Sequence, residues 1–375
     1  MDFNLSEEQE ILKRTARDFL SDNCPISVVR EMEEDKKGYS PELWQKMAQL
    51  GWLGLIFPEK YSGGGGNFLD LAVLLEEMGR SLVPGPFLST ILGGLLILEA
   101  GSEEQKQKLI PNLVHGQAIF SLALSEFETE FNPVYIATKA VLEGNHYAIA
   151  GTKLFVPDAH VADYIICVAR TADTNTSKGL TLFLVDRKNL RLECNLLKTI
   201  AGDKQCEVIF DKAEIPHENI LGEVNKGWFY IERILPKAAV AKSMEMLGGA
   251  QRVLEMTTEY AKTRVQFDQL IGGFQAIQHH CANMLVDING ARYLAYRTAW
   301  MISDGIPCVK ECYMTKAWVN NAYYHVVRLG TQVHGGVGVM KDHDMQLYFR
   351  HAKAAEASLG APDFCREKVA AGMGL

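Results

Sequence analysis

Helical periodicity fills both ends of this 375-residue chain and breaks off in the middle. From about 4 to 115 apolar residues recur every three or four positions, as in Ile11, Leu12, Ala16, Phe19 and Leu20. Ser6-Glu-Glu-Gln is a helix-start signal, a hydroxyl at the cap with Gln9 three residues on. Further helices are expected over 41–50 and 68–80. Near Gln117 the texture changes to short runs rich in β-branched and aromatic residues, at 119–124, 134–142, 147–149, 153–156, 164–169, 180–185 and 206–210. Turn signals such as Glu143-Gly-Asn145 and Asp173-Thr-Asn-Thr-Ser177 separate them. From Gly227 helical spacing returns and continues to about Ala371, interrupted at Gly272-Gly273, 304–307 and Gly335-Gly336. This order predicts an α+β chain with an N-terminal all-α domain over 1–116, a central small β-barrel domain over 117–224 and a C-terminal helical bundle over 225–375. With 47% hydrophobic residues, such a chain can fill several packed layers.

Other classes are excluded or disfavoured. The net charge is −8 with acids and bases interspersed, so no basic stripe points to nucleic acid. The most apolar runs, 91–98 and 164–169, are too short to span a membrane. The start, Met1-Asp-Phe-Asn-Leu-Ser-Glu-Glu-Gln, has neither the basic-then-apolar pattern of a secretory signal nor the acid-poor pattern of a transit peptide, so the cytoplasm is expected. Eight cysteines, at 24, 167, 194, 206, 281, 308, 312 and 365, form no CxxC pair and read as free, mostly buried thiols. Cys308 and Cys312, four apart, can share a helix face, but they lack further ligands for zinc and read as ordinary packing. The glycine run in Tyr61-Ser-Gly-Gly-Gly-Gly-Asn67 lacks the Lys and Ser/Thr of a phosphate-binding loop and reads as a flexible turn before the helix at 68–80.

Two segments stand apart: Thr263-Arg-Val-Gln-Phe-Asp-Gln-Leu-Ile-Gly-Gly-Phe-Gln-Ala-Ile-Gln-His279 and Gly330-Thr-Gln-Val-His-Gly-Gly-Val-Gly338. Together they resemble the flavin-holding segments of the acyl-CoA dehydrogenase family, and the resemblance runs in order through nearly the whole chain. A dinucleotide pyrophosphate requires a fixed guanidinium and backbone N–H groups at close range, which glycine permits. The resemblance implies FAD as cofactor, an acyl-CoA thioester as substrate and the helical–β–helical fold. It assigns cofactor contacts to Arg264, Phe267 and Gln275 and to Gln332, Gly335 and Gly336. It also implies that the Arg and Phe come from one subunit and the glycine turn from its neighbour. Leu122-Ala-Leu-Ser-Glu-Phe127 matches the family's strand and turn at the flavin pyrimidine edge; Ser125 keeps the hydroxyl and Glu126 the acid, while Glu128-Thr-Glu-Phe-Asn132 replaces a small-residue turn. In Lys153-Leu-Phe-Val-Pro-Asp158, Phe155 matches the aromatic that shields the flavin. Pro157 replaces a hydroxyl-bearing residue and offers neither O–H nor N–H. His334, inside the glycine turn, reads as a packing or hydrogen-bonding residue.

The family's reaction removes an α-proton from the thioester to a protein carboxylate while the β-hydrogen leaves as hydride. Aligned on Arg350, Lys353 and Gly360, the usual station for that carboxylate holds Leu359; the alternative station holds Ala238, beside Ala239. The nearest acids, Glu356 and Glu245, read as surface carboxylates, and no catalytic residue is assigned. The resemblance then leaves three chemistries. The chain is one subunit of a heteromeric dehydrogenase whose homologous second subunit carries the base; or it uses another base on an unusual substrate; or it runs a different flavin–thioester reaction, such as loss of a β-leaving group. A reading from another class is a non-catalytic FAD- or acyl-CoA-binding subunit. A heterotetramer or homo-oligomer is implied, with electron-transfer flavoprotein as partner by analogy. Gly85, Gly93, Gly94, Ala238, Ala239 and Ala241 are expected either to make room for a bulky acyl group or to serve helix packing.

Overall fold

Ser6 caps the first helix, α1 (Glu7–Asn23), as its sequence predicts: its Oγ accepts from the Gln9 N–H at 3.2 Å, and Gln9 Oε1 accepts from the Ser6 N–H at 3.1 Å. The computed structural model describes residues 4–127, 131–174 and 176–375. A short helix not evident from periodicity, α2 (Ile26–Glu34), comes next. Then follow α3 (Pro41–Gln49), capped by Ser40, and α4 (Phe68–Arg80), opened by a reciprocal cap between Asn67 and Asp70. α5 (Phe87–Ala100) and α6 (Glu103–Val114) complete the run. The glycine loop before α4 is pinned rather than flexible. The N–H groups of Gly64, Gly65 and Gly66 donate to the carbonyls of Gly54, Phe57 and Leu55 at 2.8–2.9 Å. With those donors used, the loop has nothing to offer a phosphate.

Eight strands form the middle: β1 (Phe120–Ala123), β2 (Lys139–Glu143), β3 (His146–Pro157), β4 (Tyr164–Arg170), β5 (Leu180–Asp186), β6 (Leu192–Leu197), β7 (Gln205–Pro216) and β8 (Ile220–Leu221). Their order is β6-β7-β3-β2-β4-β5-β8, with β1 parallel to β4. The expected barrel is therefore corrected to an open sheet, because the end strands β6 and β8 do not pair and close it. The runs at 147–149 and 153–156 belong to one strand, β3, which keeps its pairing with β7 through irregularities between Ile149 and Gly151 and between Lys153 and Val156. Residues Pro133–Tyr135 are a 3₁₀ turn, so the run at 134–142 yields strand only in its second half.

The C-terminal part is helical: α7 (Gly227–Thr263), the ribbon β9 (Val265–Gln266) and β10 (Gln269–Leu270), α8 (Gln275–Ser303), α9 (Val309–His334), α10 (Met345–Ala357) and α11 (Pro362–Gly372). The expected helical, β, helical order holds. Packing divides the chain into two compact units. One holds the described residues up to Glu31 with Asn67–Val83 and Pro236–Leu375; the other holds Met32–Gly66 and Pro84–Leu235. Among the described residues no helix is long and apolar enough to cross a membrane.

Two features hold the first unit. α4 and α7 meet backbone to backbone at a glycine pair: a Cβ on Gly248 would lie 1.8 Å from the Glu76 carbonyl oxygen, and one on Gly79 would lie 1.9 Å from that of Glu245. Beside this crossing, buried Glu76 accepts from Lys13 of α1 at 3.0 Å and from Arg292 of α8 at 2.9 Å, and also from the Tyr296 hydroxyl. Glu77 receives a two-pronged contact from Arg17, at 2.9 and 2.7 Å. Burial alone would raise the Glu76 pKa, but Lys13, Arg292 and Tyr296 outweigh it and hold the carboxyl below its ordinary range.

Gly248→Ala is expected to destabilise the fold by about 2 kcal/mol or more, since backbone must shift to admit the methyl group; equilibrium urea unfolding measures it. Glu76→Gln leaves two cations facing an uncharged amide, with an expected loss of about 3 kcal/mol at pH 7. Because the folded-state pKa of Glu76 is depressed, its stabilisation is complete above the ordinary carboxylate value. It disappears as pH falls through the folded value. Unfolding curves from pH 7 downward are therefore expected to show wild type and Glu76→Gln converging on the acid side.

Candidate functional site

Arg264 ends the last turn of α7, its N–H still donating to the Tyr260 carbonyl, and its own carbonyl accepts from the Ile271 N–H at 2.9 Å. That bond closes the β9–β10 hairpin, whose tip holds Phe267 and Asp268 at φ 51° and 62°. A phenylalanine at positive φ is a strained exception. It holds the ring outside the protein, 88% exposed, edge-on to Phe274 at 6.1 Å. The Arg264 guanidinium is exposed and forms no ion pair with any described residue. Gln275 opens α8, and its cap position, Phe274, supplies no side-chain acceptor; the Ile277 and Gln278 N–H groups bind the Phe274 carbonyl, while those of Gln275 and Ala276 have no partner among the described residues.

The glycine corner lies against this hairpin. Ala261 and Ile271 at the hairpin base form one buried cluster with Val333, and the Tyr260 ring stacks on His334 at 4.4 Å. His334 is fixed through its Nδ1, 2.8 Å from the Gly330 carbonyl, and so packs and hydrogen-bonds as its place in the turn predicts. Gln332, Gly335 and Gly336 are exposed, and a Cβ built on either glycine would meet nothing within 4 Å. Neither glycine is reserved for packing, in contrast to Gly248. The six expected residues of this half lie on the hairpin, the start of α8 and the end of α9 with the corner after it.

The second compact unit carries the other expected contacts. Phe155 sits at the irregularity in β3 with φ 53°, and its ring is 63% exposed while Val156 beside it is buried. A bulge that re-aims one side chain of a strand explains why alternation failed here. The Leu154 N–H binds the Ser125 carbonyl at 2.9 Å, fixing Ser125 beside β3 with its hydroxyl unused by other described residues. Glu126 ties this segment together. It takes the fully buried Lys153 at 2.7 Å and the N–H groups of Ala137 and Thr138, joining the strand end to the start of β2. Burial would raise its pKa, but Lys153 and these donors bring it below the ordinary value. Pro157 offers only a carbonyl, and the Ser121 hydroxyl occupies it. Of the replaced turn, Glu128, Thr129 and Glu130 lie outside the described residues.

Neither station for the base has a proton acceptor. Ala238 is buried at 1% exposure. Leu359 follows α10 at φ 55°, directly before Gly360 at φ 117°. Both nearby acids are engaged: Glu356 pairs with Lys353, and Glu245 with Lys242, each at 2.8 Å. A residue the sequence analysis missed, Lys316 on α9, is fully buried and donates to the Ala355 carbonyl at 2.9 Å and to Asn320 Oδ1 at 2.7 Å. Desolvation brings its pKa down to about 7. It anchors the end of α10, while the Cys365 thiol contacts the Gly360 carbonyl on the other side of Leu359. The small residues expected near an acyl group serve packing instead. A Cβ on Gly93 would meet Phe120 at 2.5 Å, one on Gly94 would meet Phe57 at 2.5 Å, and one on Gly85 would meet Tyr39 at 2.3 Å. Ala238, Ala239 and Ala241 are buried in the other unit.

Arg264→Ala is expected to weaken retention of a bound dinucleotide roughly tenfold or more, the usual loss for a charge-assisted contact. Gly336→Val is the sharper probe: nothing in the protein opposes the added atoms, so the melting temperature of the ligand-free protein should stay within about 2 °C while ligand binding fails. Equal loss of folding and binding would show that Gly336 is needed for packing after all.

Comparison with known proteins matches the whole chain to one family. Family models described as acyl-CoA dehydrogenase N-terminal, middle and C-terminal domains match residues 6–117, 121–213 and 225–374. The chain is 31% identical over 354 residues to 3-(aryl)acrylate reductase of Clostridium sporogenes, with 93% of each chain covered. It is also 31% identical over 369 residues to a short-chain specific acyl-CoA dehydrogenase of Clostridium acetobutylicum, with 97% of each covered. Among solved structures, a chain of the ChsE4-ChsE5 complex from Mycobacterium tuberculosis superposes with a TM-score of 0.90 at 26% identity, covering 100% of this chain and 99% of that one.

Proposed function

Because the chain belongs to the acyl-CoA dehydrogenase family, an FAD-dependent group of oxidoreductases acting on CH–CH donors, we propose that it dehydrogenates an acyl-CoA thioester as one subunit of a heteromeric enzyme. The observation that carries the flavin assignment is the joint exposure of Arg264, Gln275 and the unobstructed Gly335-Gly336 corner around one packed hairpin. These groups suit a pyrophosphate: a free cation, an uncapped helix start and close backbone. Gln332 and Phe267 complete this half, and Ser125 and Phe155 are the proposed contacts for the flavin ring. When bound, FAD accepts the β-hydrogen of the thioester as hydride. The chain's own residues hold and orient the cofactor.

The heteromeric reading is supported by the lack of a base. Leu359 and Ala238 cannot accept a proton, and Glu356 and Glu245 are already paired. A homologous second subunit carrying a carboxylate supplies what is missing, and one solved relative is a two-component complex. Exposed apolar side chains on α8 and α9, including Leu285, Val286, Tyr293 and Trp318, offer a surface for such a subunit. Electron-transfer flavoprotein is the proposed electron acceptor, by analogy with relatives such as the caffeyl-CoA reductase-Etf complex subunit of Acetobacterium woodii. All eight cysteines are free, which supports a reducing compartment such as the cytoplasm. The division at 1–116, 117–224 and 225–375 is supported by the spans of the three family matches.

The vacant base stations equally favour a second reading, a non-catalytic FAD- or acyl-CoA-binding subunit. The two separate on activity with an artificial electron acceptor, measured for the chain alone and then co-purified with a homologous partner. The proposal expects a yellow protein, inactive alone and active in the complex. A second test restores the carboxylate: Leu359→Glu is expected to raise acyl-CoA-dependent dye reduction by the isolated chain at least tenfold. A yellow complex whose activity is unchanged when the partner's own carboxylate is kept and this chain's Arg264 is replaced by Ala would favour the structural subunit. Robust turnover by the wild-type chain alone would remove the need for a partner.

A further inference from the structure

α9 begins with two thiols in contact. Cys308 is its N-cap, outside the helix at φ −146°, and its Sγ lies 3.9 Å from that of Cys312 in the first turn. Both side chains are turned inward, Cys308 at 8% exposure and Cys312 at 1%, and Cys308 directly follows an exposed loop, Asp304–Pro307. We propose that Cys308 and Cys312 form a peroxide-reactive dithiol that closes to a reversible disulfide at the start of α9. This modification site is separate from the flavin-binding residues and does not depend on the reaction assigned above.

Three physical observations support it. The Cys312 N–H donates to the Cys308 carbonyl at 2.9 Å, and an i,i+4 bond of this kind sets Cα atoms about 6 Å apart, inside the range of roughly 4.4–6.8 Å that disulfides accept. The sulfurs must approach from 3.9 Å to about 2.05 Å. Cys308 can absorb that movement because it is not helical and follows Gly305, which sits at φ 67° in open space. The two thiols also differ in reactivity. The contact with Cys312 lowers the Cys308 pKa; burial and Glu311 oppose this and Lys237 assists it. The same contact, together with burial, raises that of Cys312. Cys308, the more exposed of the two at 8% against 1% and adjoining the loop, is the thiol that peroxide reaches first, and Cys312 is the resolving thiol.

The chemistry balances with hydrogen peroxide as oxidant. The Cys308 thiolate attacks one peroxide oxygen; the S–O bond forms, the O–O bond breaks, and the departing hydroxide takes up a proton as water. Cys312 sulfur then attacks the Cys308 sulfenic acid; the S–S bond forms, the S–O bond breaks, and a second water leaves with the Cys312 proton. Two thiols lose two electrons in all, and one peroxide is reduced to two waters.

The test treats the full-length protein with hydrogen peroxide and maps its cysteines by non-reducing peptide mass spectrometry. Lys310 lies between the two cysteines, so tryptic cleavage leaves them on separate peptides that only a disulfide can join. The expected product is the Cys308–Cys312 cross-link, about 2 Da lighter than the reduced pair and reversed by dithiothreitol. Cys312→Ser is expected to leave a dimedone-trappable sulfenic acid at Cys308, and Cys308→Ser to leave Cys312 unmodified. Should a serine variant fail to fold, brief alkylation of the native wild type replaces it: N-ethylmaleimide should label Cys308 before Cys312 and block the cross-link. Oxidation of any other cysteine ahead of this pair would overturn the proposal. So would sulfenic acid at Cys312 with none at Cys308.

Discussion

The flavin contacts proposed in the first compact unit depend on how the end of α7 is held. Ala261, Ile271 and Val333 bury a small apolar knot, and Tyr260 lies flat on His334. This knot is modest in area, but it fixes the Arg264 hairpin against the last turn of α9. It thereby brings a guanidinium, an uncapped helix start and two glycines together without any of them being used to hold the fold. The division of labour is consistent: buried apolar atoms and the His334–Gly330 bond supply rigidity, leaving the exposed polar groups for a ligand. Nearby, Gly248 shows the opposite use of glycine, where the missing side chain is filled by the neighbouring helix.

The helices were legible because their signals are local. Ser6 with Gln9, and Ser40 before Pro41, name their own starts. The sheet was less legible because its order depends on pairing between distant segments. Nothing in the run at 206–210 announces that β7 continues to Pro216 and binds both β3 and β6. Closure into a barrel is likewise a property of two edge strands that no short window contains. β6 was missed because Leu192–Leu197 alternates weakly and is largely exposed.

At the site, motif spacing named residues without showing what surrounds them. Arg264, Phe267, Gln275, Gln332 and the glycine corner converge, which spacing alone could not establish. Glu126 matched a flavin segment, yet its carboxylate is fully occupied by Lys153 and two backbone donors. Lys316 went unnoticed because a lysine among Met, Thr, Ala and Trp reads as the polar face of a helix. Its burial only follows from α10 packing over it, and its amine then finds a carbonyl and an amide rather than a carboxylate.

The turn at Leu359 gives the strongest argument about what this chain has kept. A leucine at φ 55° costs about 1 kcal/mol relative to an unstrained position, and no hydrogen bond from its own side chain returns that cost. The surroundings enforce the shape: Lys316 anchors Ala355 upstream, Gly360 takes φ 117°, and Cys365 holds the Gly360 carbonyl downstream. A turn held this firmly around a residue with no acid–base chemistry is better explained by its backbone path than by its side chain. The path ends α10 and starts α11 at a fixed angle, whatever occupies position 359. A change of side chain at 359 therefore alters chemistry without disturbing architecture, which is the condition under which the proposed subunit could lack a base and still hold a cofactor beside a partner that supplies one.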